Sequence, residues 1–375
     1  MNLNKKVCHI TSLHQRNDSR VFQKECLSLS KHYDVSLVVY DGKGNEKIED
    51  VNIVDAYDES KDEASSRIKG LLVRPFKVLK VAKKINADIY HFHDPELIFI
   101  SLYLRVRGKK VFYDIHENLP LQIMNKDWLP PVLRKPISIL FTFLEYVCCR
   151  FFSGTFVPQP SMVTKYLKYN VNTNLVANFS NWPVNRSGIG KGDNSRPVLF
   201  HGGSLSAERG LFNMLDLAYL GKDSIELHLA GGFKSESVRE KALQHPGWKY
   251  TKYFGVIDSN KVRECYQNSD FGIILYNNVG QYYLSYAIKL FEYMANGKPT
   301  IMPNFGEWVS FNEQYQAGIN VNVLEPKSIL NEILSLFSDT PRYNVLAING
   351  AEAIENKLTW DSQVKNLIKG YNFND

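Results

Sequence analysis

The sequence predicts an α/β protein built from two doubly wound, Rossmann-like domains. Short apolar runs alternate with helical patterns, one polar stretch interrupts the alternation, and the scheme then repeats. With 375 residues, 44% of them apolar and 22% charged, the chain is globular and too long for one small core.

In the first half, Lys6–Leu13, Val35–Tyr40, Val51–Val54, Ile89–His93, Lys109–Ile115 and Gly154–Pro158 read as short buried strands. Helical spacing fills the gaps at Ser19–Lys31, Ser65–Lys84, Glu96–Arg107 and Leu133–Phe152. The alternation implies a parallel sheet covered on both faces, and residues 1–180 make this first domain. Residues 181–197 are rich in Gly, Ser, Asn and Pro and have no apolar period, which marks a linker. In the second domain, 198–357, the strands are Val198–His201, Ile225–Ala230, Lys249–Phe254, Phe271–Leu275 and Pro299–Met302. Its helices are Leu211–Leu220, Ser235–Gln244, Asn260–Asn268, Ile288–Asn296, Ser328–Ser338 and Arg342–Lys357. Residues 358–375 open on a Thr359 cap and continue as an amphipathic run through Leu367, Ile368 and Tyr371.

A formal charge of +6 is modest and fits an anionic small ligand or an acidic membrane surface. No aromatic-basic motif, zinc-finger spacing or basic tail points to nucleic acid. Cys8, Cys26, Cys148, Cys149 and Cys265 are odd in number and lack C-x-x-C spacing, so reduced thiols and a cytoplasmic setting are expected. Met1 to Lys6 runs straight into a strand, with no signal-peptide pattern. Ile137 to Phe152 is short for a membrane span and carries Glu145.

Chemistry concentrates at strand ends. Tyr286-Ala-Ile-Lys-Leu-Phe-Glu-Tyr-Met-Ala-Asn-Gly-Lys-Pro299 reads as a short helix, a glycine stop and a strand. Lys289 and Glu292, three apart, share one helical face, either as an ordinary ion pair or as a cradle for a phosphate and a sugar hydroxyl. Val198-Leu-Phe-His-Gly-Gly-Ser-Leu-Ser-Ala-Glu-Arg-Gly210 ends a strand in Gly202, Gly203 and Ser204, and Arg209 supplies a planar fork suited to phosphate oxygens. A second glycine turn follows at Leu229-Ala-Gly-Gly232, which includes Gly231. No D-x-D pair is present, so no metal and no cofactor is expected, and the positive charge has to come from the protein.

In open parallel sheets, ligands sit beyond the carboxyl ends of strands, where the order reverses. His14, His93 and His116 occupy such ends in the first domain and line one cleft if the strand order is 3-2-1-4-5. His91 and His93 share a strand face. Ligand binding, a structural role and a metal site are all open to these histidines, with Asp94 and Glu117 placed to hydrogen-bond the rings. The loop His14-Gln-Arg-Asn-Asp-Ser-Arg20 lacks G-x-G-x-x-G, which excludes a dinucleotide fingerprint there. Arg16 and Arg20 are either solvated loop charges or contacts for an anionic or sugar partner.

Gly203-Ser-Leu-Ser-Ala-Glu-Arg-Gly210, Leu229-Ala-Gly-Gly232 and Lys289-Leu-Phe-Glu-Tyr-Met-Ala-Asn-Gly-Lys-Pro299 resemble the donor-binding domain of family 4 glycosyltransferases. His91-Phe-His-Asp-Pro-Glu-Leu97 and Tyr113-Asp-Ile-His-Glu-Asn118 are similar to segments of that family's acceptor-side domain. The resemblance implies a GT-B fold whose C-terminal helix crosses back to the first domain. It places Glu292 on the nucleotide ribose, Arg209 and Lys289 on the diphosphate, and His93 and His116 near the reacting sugar. Backbone amides around Tyr286, Ala287 and Ile288 would serve the sugar, because the first Glu of the family's E-x7-E motif falls at Leu284. Gly202, Gly203, Ser204 and Gly231 would line the donor; His14, Arg16, Asp94 and Glu117 the acceptor.

The implied reaction is retaining transfer of a hexosyl or N-acetylhexosaminyl group from a nucleoside diphosphate sugar to a saccharide. A lipid-linked acceptor, such as an undecaprenyl-diphosphate saccharide of bacterial surface polysaccharide synthesis, is the expected partner. Residues 66–84 and Leu133–Phe152 mix cations with large apolar side chains, either as ordinary half-buried helices or as a peripheral contact with an anionic membrane. A sugar-nucleotide epimerase of the same fold and a silent nucleotide-sugar-binding protein are the competing expectations.

Overall fold

The computed structural model of the protein describes residues 5–58, 67–124, 126, 129–283 and 287–373. The chain divides into two compact units, Met1–Asn178 with Trp360–Asp375, and Phe179–Thr359.

The first unit holds an eight-stranded sheet: β1 (Lys6–Ile10), β2 (Asp34–Val39), β3 (Glu46–Ile48), β4 (Val51–Asp55), β5 (Ile89–Phe92), β6 (Lys110–Asp114), β7 (Gly154–Val157) and β8 (Thr173–Leu175). The order is β3-β4-β2-β1-β5-β6-β7-β8, and only the β3–β4 pair is antiparallel. Setting aside the β3 hairpin, this is the expected doubly wound order, reversing between β1 and β5. Val7 pairs with both Val35 and Ile89, so β1 is central. Successive β1 residues serve opposite layers. Cys8 and Ile10 pack with Val78, Tyr90, Ile98 and Cys148, which brings helices α1 (Arg67–Ile85), α2 (Ile98–Val106) and α3 (Pro131–Cys149) onto one face. Val7 packs on the other face with Val21, Phe112, Trp360 and Leu367.

That second face carries the C-terminal helix Trp360–Tyr371, as the resemblance implied. Trp360 Nε1 donates to Ser28 Oγ (2.8 Å), and Gln363 Oε1 accepts from the Ala177 amide (2.8 Å). At the helix end, Gly370 lies so close to Phe156 that a Cβ would stand 2.6 Å from its ring.

Two expectations need correction. The first strand ends at Ile10, because Ser12 and Leu13 turn their amides onto Asp94 (2.6 and 3.2 Å). The helix expected over Ser19–Lys31 opens instead as a π-helical turn, Val21–Cys26, before the short α-turn Leu27–Leu29. The Glu25 amide donates five residues back to the Arg20 carbonyl (2.9 Å), and both side chains are buried.

The second unit holds β9 (Val198–Gly202), β10 (Glu226–Ala230), β11 (Thr251–Tyr253), β12 (Phe271–Ile273), β13 (Thr300–Pro303) and β14 (Gly318–Val321). The order is β11-β10-β9-β12-β13-β14, all parallel, with the reversal between β9 and β12. Helices α4 (Leu211–Leu220), α5 (Ser259–Gln267) and α6 (Ile288–Ala295) flank the strand ends that matter below. Residues 181–197 are held within this unit: the Asn185 amide donates to Ala295 O (2.8 Å) and Asn194 to Asp270 Oδ2 (3.0 Å).

Candidate functional site

In the second unit, the ends of β9 and β10 meet as two glycine turns. Gly203 and Gly231 have φ of 130° and 133°, and a Cβ on Gly231 would stand 2.0 Å from the Gly203 carbonyl oxygen. A Cβ on Gly203 would stand 3.1 Å from Lys289 Nζ, so glycine keeps the space beside this nitrogen clear. Gly202 is half-buried and Ser204 exposed at the mouth of the turn.

Lys289 sits in the first turn of α6 yet is only 4% exposed. Its Nζ donates to His201 Nε2 (2.9 Å), and His201 Nδ1 donates to Ile273 O (2.9 Å), which fixes the ring's tautomer. Burial, with the Arg209 charge adding to it, pushes the Lys289 pKa well below the usual lysine range. Arg209 is half-buried in the turn before α4, where its Nε donates to the Tyr282 hydroxyl (3.4 Å). Glu292, one turn along α6, accepts from the Tyr266 hydroxyl of α5 (2.5 Å). The pair read from spacing thus has two other partners, His201 and Tyr266. Neither was recognised from sequence; the one available signal was the position of His201 directly before Gly202. Ala287 precedes α6 in an extended conformation and Ile288 begins the helix, so its first amides face this end of the unit. Tyr286 and Leu284 lie outside the described residues.

In the first unit, Asp94 and the histidines meet at the carboxyl ends of β1, β5 and β6. Asp94 Oδ2 accepts from Thr11 Oγ1 (2.6 Å) and the Ser12 amide (2.6 Å), and its Oδ1 lies 2.9 Å from His14 Nδ1. Burial opposes the charge on Asp94, but His14, Thr11 and Ser12 outweigh it and hold the pKa at about 2. Burial likewise works against the His14 imidazolium, and Asp94 outweighs it, raising the His14 pKa.

Asp114, at the end of β6, is the hub. It accepts a two-pronged bond from Arg20 (2.9 and 2.7 Å), and its Oδ2 lies 3.2 Å from His93 Nδ1 and 3.0 Å from His116 Nε2. His93 Nε2 lies 2.9 Å from His9 Nδ1, and His91 Nδ1 lies 2.6 Å from the Tyr371 hydroxyl of the C-terminal helix. Glu25 is buried beside this group, 3.1 Å from Arg20 Nε, yet among the described residues neither of its oxygens has hydrogen-bond geometry to a partner. Burial and then Asp114 push the Glu25 pKa well up, while Arg20 and the two histidines hold Asp114 well down against its burial.

Glu25, His91, His93 and Asp114 bring metal-ligand atoms within 4.8 Å of one another. Arg20 already supplies a cation to the two carboxyl groups, so a metal ion would have to compete with a buried guanidinium. Arg16 is spent on loop structure: it forks onto Asp41 (2.8 and 2.6 Å) and reaches Glu46 (2.6 Å) and Gly44 O (2.9 Å). Glu117 is exposed, one residue past the half-buried His116.

Residues 187–353 match the family described as Glycosyl transferases group 1. No curated protein matches the sequence. Among solved structures, a sucrose-phosphate synthase from Thermosynechococcus elongatus aligns at a TM-score of 0.76 and 14% identity, over 98% of both chains. Anabaena HepE, in complex with UDP and glucose, aligns at 0.68 and 12% identity, over 98% of this chain and 99% of that one. The Escherichia coli structure described as trehalose-6-phosphate bound with UDP-2-fluoro glucose aligns at 0.70 and 11%, over 97% and 98%. With the two doubly wound sheets, these likenesses establish the GT-B fold.

Proposed function

We propose that this GT-B glycosyltransferase moves a hexosyl or N-acetylhexosaminyl group from a nucleoside diphosphate sugar to a saccharide acceptor, with retention. The observation that carries the reading is the buried Lys289, with Arg209 beside it, against the glycine turns of β9 and β10. Glycine backbone admits a diphosphate where a side chain would block it, and two cations meet its charge without a metal.

The demanding step is departure of the diphosphate, because negative charge grows on its terminal oxygen as the glycosidic bond breaks. Arg209 offers paired N–H donors to that charge and Lys289 a point charge. Glu292, oriented by Tyr266, takes the ribose hydroxyls and does not attack. The acceptor hydroxyl gives its proton to the leaving phosphate as its oxygen bonds to the anomeric carbon, so no protein nucleophile is used. In the first unit, the half-buried His116 and His14, fixed by Asp114 and Asp94, are assigned to acceptor hydroxyls, while buried His93, its ring nitrogens on Asp114 and His9, holds Asp114 in place.

UDP in the Anabaena structure makes uridine the first nucleotide to test. A thermal-shift screen of UDP-, GDP-, ADP- and TDP-sugars should single out one nucleotide. Saturation at about 100 times Kd adds about 2.7 kcal/mol of stability. No shift with any of them removes the donor reading. Analysis of the product then separates transfer, which yields a new glycosidic bond, from epimerisation, which yields only an altered donor.

We assign the acceptor to the lipid-linked class, as in bacterial surface polysaccharide synthesis, from the outer surface of α1–α3. No described helix is long and apolar enough to cross a membrane. Nonetheless Phe76 (68% exposed), Phe99 (63%) and Phe143 (61%) stand outward from three helices that pack on one sheet face. Phe76 and Leu79 line an open groove of about 480 Å³ together with Lys80, Lys83 and Lys84. Apolar side chains ringed by lysines fit the headgroup boundary of an anionic bilayer. In a flotation assay at low salt, the protein should rise with phosphatidylglycerol-containing liposomes and not with phosphatidylcholine alone. Failure to float with either removes the membrane contact.

A further inference from the structure

Lys289 has an imidazole as its hydrogen-bond partner. Its Nζ lies 2.9 Å from an imidazole nitrogen, His201 Nε2, whose lone pair is available because Nδ1 carries the proton given to Ile273 O (2.9 Å). Among the described residues, four groups face the amine. β9 contributes His201, the turn before α4 contributes Arg209, and the segment after β12 contributes Tyr276, its ring 5.5 Å from Nζ. Its own helix contributes Glu292, which is engaged by Tyr266 (2.5 Å). Around Nζ there is thus a neutral acceptor, a permanent guanidinium, an aromatic ring and one carboxylate already bonded elsewhere.

We propose that His201 is a positioning residue that holds Lys289 Nζ in place, that burial beside Arg209 keeps this nitrogen a neutral amine before a donor binds, and that a nucleoside diphosphate draws one proton from solvent onto Lys289 Nζ as it arrives. The inference rests on the donor reading above and adds the protonation step and His201 to it. Burial and Arg209 favour the amine; a diphosphate brings opposite charges into the same space and reverses that preference. The proton goes to Lys289, since the His201 Nε2 lone pair is occupied by the hydrogen bond from Lys289.

The sign follows from linkage. Lys289 is held below its ordinary pKa without ligand, and the charge of a bound diphosphate raises it. Between those two values the complex carries one proton more than its components. Affinity therefore falls as pH rises through that window, by up to about tenfold per pH unit. Below the window there is no such dependence.

The test is calorimetric titration with UDP at about pH 8 in HEPES and in Tris, whose ionisation enthalpies differ. At that pH the terminal phosphate, with its second pKa near 6, is already ionised and takes up no proton itself. The expected result is a buffer-dependent enthalpy corresponding to close to one proton taken up. Lys289→Met abolishes the dependence and leaves the weaker binding of Arg209. His201→Leu raises Kd several-fold and His201→Gln, which keeps an acceptor, restores it. Binding with a buffer-independent enthalpy overturns the protonation step and leaves the donor reading standing. Wild-type affinity in His201→Leu overturns the positioning role. No binding at any pH, by UDP or by the other nucleoside diphosphates, overturns the donor reading as well. Should a variant fail to fold, the two-buffer comparison on the unmodified chain still decides the protonation step.

Discussion

Replacing Arg209 with alanine is expected to lower kcat by about 10²- to 10³-fold while leaving cooperative unfolding in place. The loss is in kcat because charge on the departing diphosphate exceeds that in the bound donor, so the guanidinium favours the transition state over the ground state. The KM for donor should change far less. The fold survives because backbone contacts hold the loop that carries Arg209. Gly210 is pressed so tightly against Leu275 O that a Cβ would stand 1.8 Å away, and the Asn277 amide donates to Glu208 O (2.9 Å). Those backbone contacts persist in the variant. Arg209→Lys keeps the charge and loses the fork, so it should recover only part of the rate. Steady-state kinetics with saturating donor, beside a thermal melt, measure both halves of the prediction. A kcat within a few-fold of the parent would remove Arg209 from the catalytic assignment.

The doubly wound plan was legible because its strands are short, apolar and spaced by helices. Val7–Ile10, Val35–Val39 and Leu227–Ala230 could hardly be read otherwise. The strands that escaped are short and partly polar: Glu46-Lys-Ile48, Thr173-Asn-Leu175 and Gly318-Ile-Asn-Val321 take their conformation from a paired neighbour, not from their own pattern. The donor side was legible as a set of residues and illegible as a set of bonds. His201 lies 88 residues before Lys289 and Tyr266 lies 26 before Glu292, and no local period links such positions. Arg20 makes the same point more sharply. In sequence it is a charge on a polar loop; in the fold it is buried against Asp114, 94 residues away. The π-helical turn that brings Glu25 to the same place has no signature in Val21-Phe-Gln-Lys-Glu-Cys26.

That buried group yields the largest expected effect on stability. Asp114→Asn should cost about 3–5 kcal/mol, the range for breaking a buried ion pair by removing one partner. Asparagine cannot return the paired charge to Arg20, and its amide turns a donor toward His93 or His116, which now donate to Asp114 Oδ2. Glu25→Gln should cost less, although Glu25 is equally buried. Burial and Asp114 push its carboxyl toward the neutral form, which glutamine imitates. Urea unfolding at about pH 7 measures both variants, and equal losses would contradict this division of roles. The pH dependence separates them further. Asp114 has a lowered folded pKa, so its contribution is complete above about pH 3.9 and is lost as pH falls through the folded value. Glu25 has a raised folded pKa, so its contribution is complete below about pH 4.3 and is lost as pH rises through the folded value. Glu25→Gln should therefore flatten the upper limb of the stability profile and leave the acid limb alone. In Asp114→Asn, Glu25 is the remaining carboxyl within 3.1 Å of Arg20 and should ionise to take over as counterion. The double variant removes that rescue, and its loss should exceed the sum of the single losses, since the two carboxyl groups answer to one guanidinium.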